Sequence, residues 1–409
     1  MKKVLLSLIL SFPLLLKAYE VIPKFDDPEV LNDIVSQAVE LEEVVVHRDG
    51  QVSIKLHEPL RRSPYTGDGW GIVYHTNGKI KSLRQLEKGM NHGCVVYWDE
   101  NGQKIEESIF QSGLLDGLQK KWHKNGTQSS EIIWKNNTMH GLASMWYDNG
   151  VKMSEGTLKG GKLNGFFATW YESAKKRTEI NYKEGNSDGL YASWFENGNK
   201  KEETYYKEGK VHGSMSSWHE NGQKREEFYA KEGKIIGTFS VWHENGQKKY
   251  EMNFNEGVPN GLSYEWFENG QKSGEINFKN GELHGALFGW HENGQKKYET
   301  NFNEGVPNGQ YIQWHENGRK KYEVTFNEGV LHGLSYEWFE NGQKGAEINF
   351  NEGEPNGLCY SWYESGVKAG EILFIEKGLY LSGKSFLPNG QLCPKQIYKT
   401  VMDPMLNGT

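Results

Sequence analysis

The sequence predicts an all-β protein, an elongated antiparallel β-meander of about 13–14 tandem β-hairpin repeats with a short N-terminal helix as cap. Three regularities predict it: tryptophans spaced 24 residues apart, Asn-Gly three and four residues after most of them, and glycines 15 and 19 residues after them. In such arrays each unit buries its apolar surface by stacking on its neighbours. The tryptophans are Trp98, Trp122, Trp146, Trp170, Trp194, Trp218, Trp242, Trp266, Trp290, Trp314, Trp338 and Trp362.

Each repeat, numbered from its tryptophan as position 0, is divided by its glycines into two strands. One strand runs from about −4 to +1 and the other from about +6 to +12. Period-two alternation places positions −4, −2 and 0 on one face of the first strand, and +8, +10 and +12 on one face of the second. For the strand that ends at Trp266, the first set is Leu262, Tyr264 and Trp266. For the strand that follows Trp242, the second set is Tyr250, Met252 and Phe254.

The length of the first turn decides whether these two apolar sets share a face. A two-residue loop would separate them, because it pairs position 0 with +7. A three-residue loop at 244–246, with its glycine in the left-handed conformation, pairs Trp242 with Lys248 and is expected to bring both sets to one face. We therefore predict the three-residue loop. The second connection, residues 255–260, is predicted to be longer and to keep the same parity.

The first 18 residues have the pattern of a signal peptide. Lys2 and Lys3 precede an apolar run at 4–16, and Ala18 offers a small residue before the cleavage point. The run holds about 13 residues, fewer than the roughly 20 that span a bilayer. We expect export to the periplasm, cell surface or exterior of a bacterium. The alternative is an uncleaved amphipathic start.

The segments around the array follow from capping and turn residues. Asp27 and Pro28 precede apolar residues at helical spacing, which predicts a helix with Asp27 as its N-cap. Two apolar runs around Asp49-Gly50 predict a hairpin. The predicted organisation is a signal peptide at 1–18, a helical cap at 19–43, a degenerate first hairpin and lead-in at 44–68, tandem repeats at 69–392 and a C-terminal tail at 393–409.

The repeat itself resembles a known family. Residues 326–333, Phe-Asn-Glu-Gly-Val-Leu-His-Gly, and 336–342, Tyr-Glu-Trp-Phe-Glu-Asn-Gly, resemble the variant MORN repeat. Arrays of this variant, with the preceding Pro-Tyr-Thr-Gly at 64–67, are similar to bacterial YwqK-type antitoxins. The resemblance covers about 61–392. It implies an all-β scaffold that binds protein or membrane surfaces and has no catalytic residues to carry over.

The polar residues repeat as rows rather than forming a unique cluster. Histidines recur at +1 and +18, and glutamates at +9. Equivalent positions in adjacent units lie about 10 Å apart, too far to share one metal ion. We predict no metal, no cofactor and no enzyme. Lys249 and Lys321 are predicted to form a solvated ladder with the glutamates, and the alternative is an acidic stripe for a basic partner.

Charge and cysteines narrow the function further. The net charge is −7 with both signs interspersed, which disfavours nucleic acid as a partner. The three cysteines are odd in number. In the predicted register Cys359 and Cys393 lie about 14 Å apart, beyond the reach of a disulfide. We therefore predict free thiols.

Aromatic side chains form the candidate binding surface, because a single sheet leaves an apolar face open unless something covers it. The alternative is that coiling of the sheet buries the tryptophans. We expect +1 aromatics on the opposite face, and a protein as partner. The rival functions are a binder of cell-wall glycan or lipid headgroups and an antitoxin-like neutraliser of one toxin. The candidate residues are Trp218, Trp242, Trp266, Trp290, Trp314, Trp338, Tyr264, Tyr336, Phe267 and Phe339.

Overall fold

A computed structural model describes residues 23–41, 44–46, 52–54, 67–375 and 379–393. The predicted signal peptide and nearly all of the predicted tail lie outside these residues. The predicted helix is confirmed as α1, Pro28–Gln37, with Pro28 in its first turn. The side chain of Asp27 accepts a hydrogen bond from the Glu29 amide at 3.0 Å, so Asp27 is the N-cap. No helix within the described residues is long and apolar enough to cross a membrane.

The remaining described elements are strands. The first twelve are β1 (Val39–Glu40), β2 (Val44–Val46), β3 (Val52–Ile54), β4 (Gly69–Tyr74), β5 (Ile80–Glu87), β6 (Met90–Trp98), β7 (Lys104–Gln111), β8 (Leu114–Trp122), β9 (Gln128–Lys135), β10 (Thr138–Trp146), β11 (Lys152–Lys159) and β12 (Lys162–Trp170). The next twelve are β13 (Lys176–Lys183), β14 (Asn186–Ser187), β15 (Gly189–Trp194), β16 (Lys200–Lys207), β17 (Lys210–Trp218), β18 (Lys224–Lys231), β19 (Lys234–Trp242), β20 (Lys248–Asn255), β21 (Val258–Pro259), β22 (Gly261–Trp266), β23 (Lys272–Lys279) and β24 (Glu282–Trp290). The last eleven are β25 (Lys296–Asn303), β26 (Val306–Pro307), β27 (Gly309–Trp314), β28 (Lys320–Asn327), β29 (Val330–Leu331), β30 (Gly333–Trp338), β31 (Lys344–Asn351), β32 (Glu354–Pro355), β33 (Gly357–Trp362), β34 (Lys368–Ile375) and β35 (Leu379–Ser385).

The predicted all-β meander is confirmed as a 33-stranded sheet of antiparallel hairpins. The short strand β1 joins it by parallel pairing with β4. The predicted hairpin is present as β2 paired with β3, which form a two-stranded sheet of their own. The chain divides into two units, residues 1–199 with 206–209, and residues 200–205 with 210–409. Within each unit, strands that follow one another in sequence pair side by side, so a repeat packs against the repeats before and after it.

The first turn of the repeat has the predicted length. The His243 amide donates to the Gln247 carbonyl at 2.9 Å, which closes a loop of three residues, and Gly246 has φ +83°. A glycine is favoured there because it adopts positive φ without a Cβ clash. The predicted pairing of Trp242 with Lys248 is also confirmed.

The predicted sharing of one face by both apolar sets is wrong. Immediately after Trp242 pairs with Lys248, a bulge shifts the register so that Val241 pairs with Tyr250. One extra residue in a strand exchanges the faces of everything beyond it. The set at +8, +10 and +12 therefore lies opposite the set at −4, −2 and 0.

The second connection is also tighter than predicted. Asn255 pairs with Val258, so Glu256 and Gly257 alone form the turn. Both have positive φ, +48° and +85°, which is typical of the type I′ hairpin turn. The residues expected to lengthen this loop instead extend the next strand, and a bulge at 260–261 separates them from β22.

The two faces of the sheet are consequently different. Positions −4, −2, 0, +6, +9 and +11 form what we name the tryptophan face. Positions −5, −3, −1, +8, +10 and +12 form the phenylalanine face. In one hairpin, Tyr264 opposite Glu275 lies on the former, and Ser263 opposite Ile276 lies on the latter.

The helix α1 packs on the tryptophan face of the first repeats. Phe25 and Ile34 are buried there with Trp98, and Phe25 meets the Trp98 ring edge-on at 6.2 Å. At this end Ile80 and Leu83 occupy positions +6 and +9, where later repeats carry lysine and glutamate. The helix thus covers the stretch in which the polar ladder is replaced by apolar side chains.

Candidate binding surface

A stack of tryptophan and lysine runs along the tryptophan face in both units. In the second unit Lys272 binds Glu275 at 2.8 Å, and its Nζ lies 5.6 Å from the centroid of Trp290, which belongs to the next repeat. Lysines at +6 in most repeats make the same two contacts, as with Lys344, Glu347 and Trp362. In these repeats the tryptophan is therefore covered in part by the lysine of the preceding repeat.

The predicted ladder exists, but its lysines are different from those expected. Lys248 and Lys320 pair with the glutamates at +9, whereas Lys249 and Lys321 were expected to do so. The bulge is the reason, because it puts position +6 rather than +7 on the face of the glutamate. At the C-terminal end, hydrogen bonds from Lys384 and then Lys368 lower the pKa of the Glu371 carboxyl.

Eight of the candidate residues lie together on the tryptophan face and are half-buried. They are Trp218, Trp242, Trp266, Trp290, Trp314, Trp338, Tyr264 and Tyr336. Tyr264 packs on Trp266 with ring centroids 5.7 Å apart, and Tyr336 packs on Trp338 at 5.5 Å. Lysine side chains and neighbouring rings cover much of each of these indoles. The tryptophans therefore lie beneath the outermost atoms of this surface.

The residues at +1 have a structural role at the first turn. The His243 ring donates from Nε2 to the Trp266 carbonyl oxygen at 3.0 Å, and the Tyr147 hydroxyl donates to the Trp170 carbonyl at 3.0 Å. Such bonds join one repeat to the next. The candidates Phe267 and Phe339 occupy the same half-buried position. The histidine and tyrosine side chains at +1 therefore bridge neighbouring repeats at the turn edge, and the placement of +1 aromatics on the opposite face stays a prediction.

An exposed apolar row at position −4 completes the tryptophan face. Its members are 42 to 50% exposed, an unusual degree for large apolar side chains. They are Leu142, Phe166 and Leu190 in the first unit, and Leu262, Leu334 and Leu358 in the second. These residues were not among the predicted candidates. Their alternation with Trp266 and its equivalents was the signal that places them on the same face.

The three cysteines, Cys94, Cys359 and Cys393, are buried and unbonded, as predicted. Burial raises the pKa of the Cys94 thiol to about 12, with a smaller contribution from the Glu107 carboxylate. A thiol so far from ionisation is a poor nucleophile. These cysteines act as packing residues.

Solved structures of low similarity include a crystal structure of TcdB2-TccC3, at 11% identity and a TM-score of 0.14 over 80% of this chain and 24% of that chain. A Photorhabdus luminescens Tc holotoxin pore matches at 11% identity and a TM-score of 0.13, over 80% and 23%. This chain thus spans about a quarter of either. At these TM-scores the similarity carries no functional argument. No curated protein matches the chain.

The family model of the MORN repeat variant matches six segments, at residues 139–159, 187–208, 235–256, 259–280, 283–304 and 307–328. Each matched segment contains the two strands that are joined by the first, three-residue turn of the repeat. The resemblance to YwqK-type antitoxins receives no such support and stays a prediction. The chain therefore contains six segments that match the MORN repeat variant.

Proposed function

We propose that this chain is an exported, non-enzymatic repeat scaffold that binds a protein partner along the tryptophan face. One observation carries the proposal: this face already accepts a polypeptide segment. The helix α1 and Phe25 pack on it, with Phe25 only 4% exposed. Beyond the helix the same face continues with exposed leucines.

The chemistry of the face suits a protein surface. Large exposed apolar patches with polar borders are typical of protein interfaces. Here the −4 side chains form the apolar row, and Lys–Glu pairs such as Lys272 with Glu275 border it. The side chains of Lys272 and Lys296 are 36% and 45% exposed, so a partner can reach their charged ends.

Export rests on the predicted signal peptide, and the absence of catalysis rests on the repetition of each polar row. Since glutamates, lysines and histidines recur in equivalent surroundings, no repeat gains a reactive group from these rows that the others lack. The partner is proposed to be a protein, and glycan, lipid and toxin are the competing outcomes of the test.

A capture experiment with two matched triple variants tests the proposal. The immobilised chain is exposed to envelope and cytosol fractions, to sacculi and to liposomes. The test variant replaces Leu262, Leu334 and Leu358 with serine. The control replaces the exposed loop residues Glu244, Glu292 and Glu316 with serine. Retained proteins are identified by mass spectrometry.

We expect one stoichiometric protein that the parent and the control capture and the leucine variant loses. An envelope protein supports an exported scaffold, and a cytosolic toxin supports the antitoxin alternative. Retention only on sacculi or liposomes, or equal capture by both variants, would contradict binding of a protein through the tryptophan face.

A further inference from the structure

The phenylalanine face of the second unit contains one local departure from the repeat. Along positions −1 and +8 of adjacent strands, Tyr250 pairs with Glu265, Glu265 with Gly274, Gly274 with Gly289, and Gly289 with Tyr298. Directly paired residues share a face of the sheet. Two glycines side by side therefore leave an open depression between a carboxylate and a tyrosine. Its lining includes Ser263, Ile276 and Leu287.

The side chains at both ends of the depression lean into it. A methyl group at Gly274 would lie 3.4 Å from Oε2 of Glu265, so the carboxylate extends over that glycine. A methyl group at Gly289 would overlap Cζ of Tyr298, so the phenol ring covers that glycine. Gly274 and Gly289 lie on adjacent strands, about 4.8 Å apart. The Glu265 carboxylate therefore reaches over the first glycine from one side, and the Tyr298 ring reaches over the second from the other side.

The depression contains hydrogen-bond acceptors that are not used by other groups of the protein. Within the described part of the chain, Glu265 makes no ion pair or hydrogen bond, unlike the lysine-bound glutamates at +9. The Ser263 residue is fully buried and its Oγ has no partner. Burial, and then the Glu265 carboxylate, raise the pKa of Tyr298 and of Tyr250. The phenols therefore stay neutral near pH 7 and can accept a hydrogen bond.

The same row three repeats later provides a natural comparison. There Tyr322 pairs with Glu337, but Ala346 and Ser361 replace the two glycines, and Gly370 stands where a second tyrosine would be. The sequence signal was present: Gly274 and Gly289 are glycines outside the three recurrent turn positions. Sequence reasoning missed them because the bulges that align them are not visible in the alternation pattern.

We propose that the depression between Glu265 and Tyr298 binds a primary ammonium group on an alkyl chain, the chemistry of a lysine side chain or a small amine. An ammonium ion offers three N–H donors. The carboxylate of Glu265 and the hydroxyl of Tyr298 accept from them. The alkyl chain packs on Ile276 and Leu287. The depression lies on the face opposite the proposed protein-binding surface, so either proposal can fail without the other.

Isothermal titration calorimetry of the full chain at pH 7 tests the proposal with n-butylammonium, tetramethylammonium and n-butanol. We expect saturable binding of n-butylammonium only, because tetramethylammonium has no N–H donor and n-butanol no charge. Glu265→Gln should weaken this binding about ten- to a hundredfold, since it removes a charged hydrogen-bond acceptor. Tyr298→Phe should weaken it about two- to tenfold. The controls Glu337→Gln and Tyr322→Phe should bind as the parent does.

Absence of saturable n-butylammonium binding would overturn the proposal. So would equal binding by the Glu265→Gln variant, or binding of either other probe at the same affinity. A fourth titration, with Nα-acetyl-lysine methylamide, separates the sources. Tighter binding than n-butylammonium upholds the proposal and assigns the depression to a protein lysine, and weaker binding upholds it and assigns the depression to a free amine.

Discussion

The lysine at +6 makes the glutamate contact that the sequence analysis assigned to the lysine at +7. It binds the glutamate at +9 and lies over the tryptophan of the next repeat, as Lys272 does with Glu275 and Trp290. A partly exposed cation–π contact contributes about 0.5–1 kcal/mol, and an exposed ion pair about 0–1 kcal/mol. Each contact is weak, but it recurs across the junctions between repeats, where an array needs it.

Tyrosine ionisation should limit stability at alkaline pH. Burial, followed by the charge of Glu337 and by Tyr311, raises the pKa of Tyr322 above its ordinary value near 10. The folded state therefore holds this proton more tightly than the unfolded state. The resulting stability is fully present below about pH 10 and is lost as the pH rises through the folded pKa.

We expect Tyr322→Phe to reduce this alkaline loss. Thermal midpoints measured from pH 8 to about pH 11 should fall less steeply for the variant than for the parent, because phenylalanine has no proton to lose. Tyr264→Phe is the control on the other face. Identical slopes for parent and Tyr322→Phe would contradict the prediction.

The Cys94 thiol should be chemically inert in the folded chain. It is 3% exposed and its pKa is raised to about 12, so both access and the thiolate fraction are low. At pH 8 we expect Cys94 not to react with a disulfide reagent until denaturant is added. Peptide mapping of the treated protein identifies which cysteines have been labelled. Labelling of native Cys94 at the rate of a free thiol would show that the first repeats open readily.

At the scale of the element, the two turns of the repeat divide the work of setting register. The three-residue loop confirms the sequence prediction, and the two-residue turn at 256–257 corrects it. A bulge lies beside each turn. The bulge at 241–242 is next to the three-residue loop, and the bulge at 260–261 is next to the two-residue turn. The bulge at 241–242 adds a single residue, so it is this bulge that decides which side chains share a face.

Gly257 tests the tight turn. Its φ of +85° is unfavourable for a residue with a Cβ, so Gly257→Ala should lower the free energy of unfolding by about 1–2 kcal/mol. The control is Gly274→Ala, where the nearest atom lies 3.4 Å from the added methyl and the comparable repeat carries Ala346. Urea midpoints measure both. A control that destabilises as much as Gly257→Ala would refute the assignment to positive φ.

At the scale of the whole chain, stability arises between neighbouring repeats and at the covered end. Within each unit every repeat is hydrogen-bonded to the next through strand pairing and side chains such as His291, whose ring donates to the Trp314 carbonyl at 3.1 Å. A repeat array tolerates the loss of a whole repeat better than the loss of part of one, because only deletion of a whole repeat preserves the register of the strands.

Deletion of residues 315–338, one full period, joins Trp314 to Phe339 and recreates a normal repeat boundary. We expect the shortened chain to keep its β-sheet circular dichroism and a cooperative melt. Deletion of 315–326, half a period, removes a turn and most of one strand. It should reduce the β-sheet circular dichroism and make the melt less cooperative. Equal behaviour of the two deletions would mean that the repeats do not act as units.

Much of the fold was predictable because its signals are local. The 24-residue period, the two strands of each repeat, the three-residue loop and the capped helix α1 follow from turn residues, alternation and capping. The tryptophan row of the candidate surface was predictable for the same reason. The exposed Leu262 row followed from that alternation too, but its exposure depended on what packs beside it.

The sequence by itself determined the repeat, its strands and its first turn, because each depends on residues close together in the chain. Only the tertiary structure decided which strands share a face, which lysine meets each glutamate, and that Glu265, Gly274, Gly289 and Tyr298 lie side by side. The physical reason is the bulge: it adds one residue to a strand without altering the alternation on either side, yet it turns every side chain beyond it to the other face.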